Sequence, residues 1–356
     1  MEMIELHILQ SCPVSCLNRD DVGAPKTAVF GGVSRARVSS QCWKRAIRIH
    51  AQQSLHGAGR FSGQRSRRWV RQLSAALRER QVADADATAA LAIGYLASKE
   101  EPERGALVYL TPLQLEALAS SIVEQRLVFS KDKNGVKCKA ARGNSIAGIL
   151  GAASDWADIA IFGRMVANDH TLTLEGAGLF SHALSTHRVS NEIDFFTAVD
   201  DVPQNEQDGY SAGAAHMGTL EYNSACYYRY VGLNLTLLSD ADHLGALVQE
   251  ERRTVVDTFL RAAVEAIPGA RHNSMFASTL PQYILGLYRA GGQPLSLANA
   301  FEEPVWSNSG LLSKSWEVLL GHFGTLKQTY DISATEYRIP DVTLAGMVEG
   351  LCDHVR

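Results

Sequence analysis

Polar and apolar residues alternate at the start of the chain, with Ile4, Leu6 and Ile8 separated by Glu5 and His7. This period-two pattern predicts a half-buried strand. The segment 11–32 is rich in Pro, Gly, Asn and Asp and reads as a long loop. A helix is predicted to open at Ser39 or Ser40, either of which can cap it, with Trp43, Ala46 and Ile47 toward the core. Helical, Ala/Leu-rich spacing follows over 65–99, and a further helix starts at Thr111-Pro112. A third helical pattern covers 145–168.

Strand character returns at 171–174 and across 227–238, where Leu233, Leu235 and Leu237 alternate with Asn234 and Thr236. An amphipathic helix over 241–267 stops at Pro268-Gly269. Two segments look like projecting hairpins: the lysine-flanked Asn134-Gly135 turn, and a polar, glycine-rich arm over 199–219 behind Ile193-Asp194-Phe195-Phe196. By burial tendency such adjacent aromatics are more often core, but standing at the base of an arm raises a stacking role. The order predicts an α+β fold: a sheet with helices on one face, decorated by insertions, as in RNA-recognition sheets of the ferredoxin-like type.

Charge sharpens this picture. The 356 residues carry a formal net charge of −4, yet residues 1–80 alone carry +9, so the remainder carries −13. The basic part points to nucleic acid, and an acidic remainder suits head-to-tail association with the basic part of another copy. The stretch from Gly31 to Arg48 concentrates the signal: Arg35, Arg37, Lys44, Arg45 and Arg48 lie beside a glycine turn and a helix start. Cations in a first helical turn oppose the macrodipole, so local stability does not account for them; an external phosphate does. Gln41, Lys44, Arg45 and Arg48 fall on one helical stripe. An ordinary solvated basic helix is the competing reading.

Composition narrows the chemistry. With 46% hydrophobic residues the chain buries a full core, and no apolar run spans a bilayer. No signal-peptide pattern is present, and a cytoplasmic location is expected. The six cysteines lack zinc spacing and are expected to be reduced and structural; His182 and His187 are not at helical metal spacing. Phosphate-loop, dinucleotide-binding and zinc-protease motifs are absent, and Gly143–Gly148 is one residue too long for a nucleophile elbow. No cofactor or metal is therefore expected. Asp20-Asp21 is the carboxylate pair that a magnesium ion near bound RNA would use, although adjacent carboxylates rarely converge on one ion and a turn-forming role is favoured.

Several blocks resemble one family. They are Ser15-Cys16-Leu17-Asn18-Arg19-Asp20-Asp21, Phe30-Gly31-Gly32, Arg37-Val38-Ser39-Ser40-Gln41 with Lys44-Arg45-Ala46, Ile161-Phe162-Gly163-Arg164-Met165, His182-Ala183-Leu184-Ser185-Thr186-His187, Asp194-Phe195-Phe196-Thr197-Ala198-Val199-Asp200-Asp201, and Ser296-Leu297-Ala298-Asn299-Ala300-Phe301-Glu302 with Pro304. Together they resemble CasC, the repeated backbone subunit family of the type I-E CRISPR surveillance complex Cascade.

That resemblance implies a palm from 1–59, 171–194 and 224–356, helical fingers from 60–170, and a thumb arm from 195–223. It implies a non-catalytic subunit that polymerises along crRNA and presents its bases to target DNA. Its implied partners are further copies of the chain, the capping, small, large and crRNA-processing subunits, and indirectly a recruited nuclease-helicase. Arg19, Ser39, Ser40, Gln41, Lys44, Arg45 and Arg48 fall where the palm meets the guide backbone; Arg35 and Arg37 belong to the same basic stretch. Met165, Phe195 and Phe196 fall at the wedge positions that stack on bases. Related subunits of type III complexes cut RNA through an aspartate in the loop after the first strand, which keeps Asp20 and Asp21 as the alternative.

Overall fold

The computed structural model of the protein describes residues 1–54, 59–97, 106–133, 135–166, 168–198 and 216–356. Most of the predicted 199–219 arm, and Asn134, lie outside the described residues.

The first strand, β1 (Met3–Ser15), is central: it pairs antiparallel with β11 (His216–Asn234) on one side and β12 (Tyr283–Arg289) on the other. The sheet continues outward through β13 (Thr335–Ile339) beyond β12, and through β9 (Ala183–Ser185), β3 (Val33–Val38) and β2 (Thr27–Phe30) beyond β11. Strand β8 (Gly178–Phe180) also pairs with β11. With α1 (Ser40–Gln53) after β1 and α8 (Gln249–Glu265) between β11 and β12, the four middle strands β12-β1-β11-β9 follow the 4-1-3-2 order of a split βαβ unit.

Glu5 and His7 are wholly buried, so the first strand is not half-exposed as its alternation suggests. Its two faces bury different groups. Ile4, Leu6 and Ile8 face Trp43, Ile47 and Ala51 of α1 and Val256, Phe259 and Leu260 of α8, with α10 (Leu344–Cys352) beside them. Leu9 belongs instead to a cluster with Leu285, Leu287, Phe301, Leu319 and Phe323, the last two from α9 (Leu312–Thr329). Helices therefore cover both faces rather than one. The buried Glu5 carboxylate accepts from Tyr230 Oη at 2.8 Å, Arg289 Nη1 at 3.1 Å and Leu295 N at 2.7 Å, which satisfies a charge that burial alone would penalise.

A second core sits in the helical lobe between α1 and β8. It joins α2 (Trp69–Glu79), α3 (Ala85–Ala97), β5 (Val108–Leu110), α4 (Pro112–Val123), β6 (Leu127–Asp132), β7 (Gly135–Ala140) and α5 (Ile146–Gly151); β4 (Gln64–Ser66) pairs with β5, and α6 (Ala157–Phe162) packs into the sheet core instead. Trp69, Leu73, Leu77, Ile93, Leu118 and Leu150 form its centre. Thr111 and Gln114 close a capping box on α4, as the Thr-Pro start predicts. The β6–β7 pair is the predicted lysine-rich hairpin.

Three local readings are corrected. The 145–168 pattern is two short helices, with Ser145 capping the first. Residues 171–174 are not a strand: a 3₁₀ turn covers His170–Leu172. The 227–238 strand ends at Asn234, whose side chain accepts from Leu237 N and caps the short helix α7 (Leu235–Leu238), while α8 starts only at Gln249. None of the six cysteines is paired, and four are buried.

Candidate nucleic-acid interface

Ser39 is the cap of α1: its hydroxyl accepts from Cys42 N at 3.3 Å, while its own amide donates to Asn18 Oδ1 at 2.9 Å. The loop after β1 is thereby stitched to the helix start. Between them, and against residues 266–270, lies an open groove of about 910 Å³ lined by Arg19, Asp20, Asp21, Arg45, Ile49 and His50 among others. Arg19, Gln41 and Arg45 are exposed, Ser40 is half-exposed, and no acidic residue occupies the first turn of α1. Free helix-start amides, a favourable dipole end and two exposed guanidinium groups make this groove receptive to phosphate beside Asp20 and Asp21.

Lys44 and Arg48 sit on the same helix but are half-buried at the junction with the helical lobe. Lys44 Nζ stands 5.0 Å from the centroid of the Phe180 ring; burial, then the nearby Arg65 charge, lowers its pKa. Arg48 Nη1 donates to Gly63 O at 3.1 Å. Arg37, on β3, donates from Nε to Thr27 O at 3.1 Å and reaches His182 Nδ1 at 3.5 Å. The predicted stripe is thus two sites, an exposed groove side and a lobe-facing side.

Arg35 is a correction. Its side chain is fully buried and spends four of its five N–H donors on the carbonyls of Phe30 (3.1 Å), Ser185 (3.1 Å), Phe301 (2.8 Å) and Glu302 (3.2 Å), so it is a structural residue out of a ligand's reach. The Gly31-Gly32 turn goes with it. Both glycines have positive φ (59° and 76°), and a Cβ on Gly31 would overlap the Glu302 carbonyl. The turn is the tip of the β2–β3 hairpin docked on residues 298–302, a strand's length from the helix start, and not a phosphate cradle beside it.

Asp20 Oδ1 accepts from Val22 N at 3.0 Å and Ala24 N at 2.9 Å, an Asx-type turn that shapes the loop. Asp21 is exposed. Among the described residues no group of His, Cys, Asp and Glu is arranged to hold a metal. His187 is also a scaffold residue: Nε2 accepts from Cys226 N and Nδ1 donates to Arg188 O.

The wedge candidates stand out from the surface. Met165 is 82% exposed and lines a hollow of about 620 Å³ with Arg65, Leu107 and Tyr109. Phe195 and Phe196 lie on β10 (Glu192–Ala198), which pairs with the outer half of β11 as a two-stranded ribbon. Phe195 is 61% exposed on the face carrying Ile193 and Met217; Phe196 lies on the opposite face over Gly218. Neither ring is core, contrary to burial tendency. Arg65, Tyr109 and Phe180 escaped sequence reading, although Arg65, Arg67, Arg68 and Arg71 had already contributed to the N-terminal charge excess.

Known proteins resemble this molecule end to end. It is similar to a chain of a "CRISPR RNA-guided surveillance complex, pre-nicking", at 28% identity and a TM-score of 0.76, with 98% of this chain and 100% of that chain covered. It shares its fold with a chain of a second CRISPR RNA-guided surveillance complex, at 23% identity, a TM-score of 0.61, and 99% and 98% covered. No curated protein sequence matches it. The model of the CT1975-like protein family matches residues 4–343, nearly the whole length, and the chain belongs to that family.

Proposed function

We propose that this protein is a non-catalytic crRNA-binding backbone subunit of a type I-E Cascade, polymerising head to tail along the guide and presenting its bases to target DNA. The observation that carries the reading is the full-length likeness to a chain of an RNA-guided surveillance complex, with a TM-score of 0.76. In this reading the sheet unit is the palm, the helical lobe the fingers and the β10–β11 ribbon the root of the thumb. Arg19, Ser40, Gln41 and Arg45 hold the RNA backbone along the groove. Met165, Phe195 and Phe196 stack on bases, an interaction worth about 1–3 kcal/mol per base and tolerant of sequence. Cations that read only phosphates leave specificity to the guide. Other copies and the remaining Cascade subunits complete the particle, which we place in the cytoplasm; no helix among the described residues is long and apolar enough to cross a membrane.

The test is nuclease mapping of a guide RNA copurified with the chain. Evenly spaced protection interrupted by periodic exposed nucleotides is expected; a single footprint with no repeat would sink the polymerising role. The alternative, metal-dependent cutting of target RNA through Asp20 and Asp21, is favoured by their place in the groove. Against it, Asp20 already serves the loop turn through two amides. Target RNA cut at regular intervals under magnesium, and left whole by Asp21→Ala, would establish the alternative.

A further inference from the structure

Three cations from two parts of the chain gather at the junction of sheet and helical lobe. Arg48 Cζ lies 5.4 Å and Arg65 Cζ 4.7 Å from the centroid of the same Tyr109 ring. The two guanidinium groups are thus no more than about 10 Å apart, comparable with the Debye length at physiological salt. Lys44 completes the set: it stands over Phe180, and after burial the Arg65 charge is the second cause that lowers its pKa.

Like charges collected this way cost free energy in the absence of a counter-charge. The Arg48 charge acts on Asp158, but that carboxylate is buried and already accepts from Gly63 N at 3.0 Å and Gln52 Nε2 at 3.2 Å. Neither Lys44 nor Arg65 has a carboxylate within ion-pair distance among the described residues. Aromatic faces hold all three cations while leaving their N–H groups mostly unspent. Arg65 and Tyr109 also open onto the hollow beneath Met165.

We propose that Arg65, from the helical lobe, joins Lys44 and Arg48, from α1, in a seat for one backbone phosphate of the bound RNA strand, with Tyr109 as the platform that positions the two arginines. The inference rests on the RNA-binding reading above and adds a residue and a consequence to it. A phosphate held by both parts ties the helical lobe to the sheet, so RNA binding fixes the lobe's placement.

The full-length chain is titrated with labelled single-stranded RNA of arbitrary sequence from low to physiological salt, as wild type, Arg65→Ala, Arg65→Lys and Arg78→Ala. Arg78 lies on the same lobe, already paired with Asp86 at 2.5 Å, and controls for net charge. Arg65→Ala is expected to bind about three- to tenfold more weakly with a salt slope shallower by about 0.7, the value for one phosphate on a single strand. Arg65→Lys should keep the slope, and Arg78→Ala should match wild type. RNA should slow amide exchange at β4 and β5 in wild type and not in Arg65→Ala. An unchanged slope in Arg65→Ala, or an equal loss in Arg78→Ala, overturns the phosphate seat while leaving the RNA-binding reading intact. Absence of RNA binding by the wild-type chain overturns that reading and the inference with it.

Discussion

Phe196 lies across the α-carbon of Gly218, its register partner on the neighbouring strand, so closely that a Cβ on the glycine would meet ring Cζ at 2.6 Å. The ring is held in one attitude by a neighbour that lacks a side chain, a pairing that compensates for glycine's weakness in a strand.

Replacing Gly218 by Val should push the ring off this seat without disturbing the core. Thermal stability is expected to change by less than about 0.5 kcal/mol, the range for surface positions, while RNA affinity falls by roughly the 1–3 kcal/mol of one stacked base. Melting curves and RNA titration of the same preparation check both, and an unaltered affinity would remove Phe196 from the wedge.

Arg35→Met should act in the opposite way. Four carbonyls lose their charged donor, and at about 1.5–3 kcal/mol for each hydrogen bond to a charged group the total loss should exceed about 3 kcal/mol. A large drop in melting temperature is expected, with the RNA affinity of the folded fraction preserved. Weak RNA binding by a fully stable variant would restore Arg35 to the interface.

Arg19→Glu and Arg45→Glu alter exposed residues of the groove. Both should weaken RNA binding uniformly across sequences and flatten its salt dependence, with no change in melting temperature. Sequence-dependent losses in parallel titrations would contradict a backbone-holding role.

His7 makes stability depend on pH. Burial, and after it the Arg289 charge, pushes its pKa down to about 3 from the ordinary 6.5. Tyr228 Oη, which accepts from Leu297 N, lies 3.0 Å from His7 Nδ1 in this buried pocket. Between pH 6.5 and about 3 the unfolded chain binds the proton that the folded chain refuses, so stability falls as pH falls, by up to about 1.4 kcal/mol per unit. His7→Gln should show a shallower decline across that window in pH-dependent melting, and an identical slope would refute the assignment.

The sequence made several of these features legible for local reasons. Ser39, Thr111 and Ser145 announce helix starts because capping is written in adjacent residues. The exposed cations of α1 follow from helical spacing. Arg35 was misread because burial is a tertiary property: a β-strand arginine beside two glycines reads as a phosphate ligand until residues 298–302 close over it. Glu5 and His7 misled in the same way, since alternation does not say that the second face is covered as well. Arg65 was countable but not placeable, because Tyr109, which sets it beside Arg48, is 44 positions further along the chain.

The length of β11 gives the ribbon a mechanical character. Its inner half is clamped between β1 and β9, and its outer half pairs with β10. The change falls near Asn223, where the β1 register shifts and where the buried amide donates to Asn191 and accepts from Tyr227. From there to His216 the strand projects about 23 Å at roughly 3.3 Å per residue. It is a lever with its fulcrum set in the sheet: a tilt of a few degrees at Asn223 displaces the far end by an ångström or more. If the protein assembles along its guide as proposed above, successive subunits would absorb small differences in spacing by flexing at this one residue, with no repacking of either core.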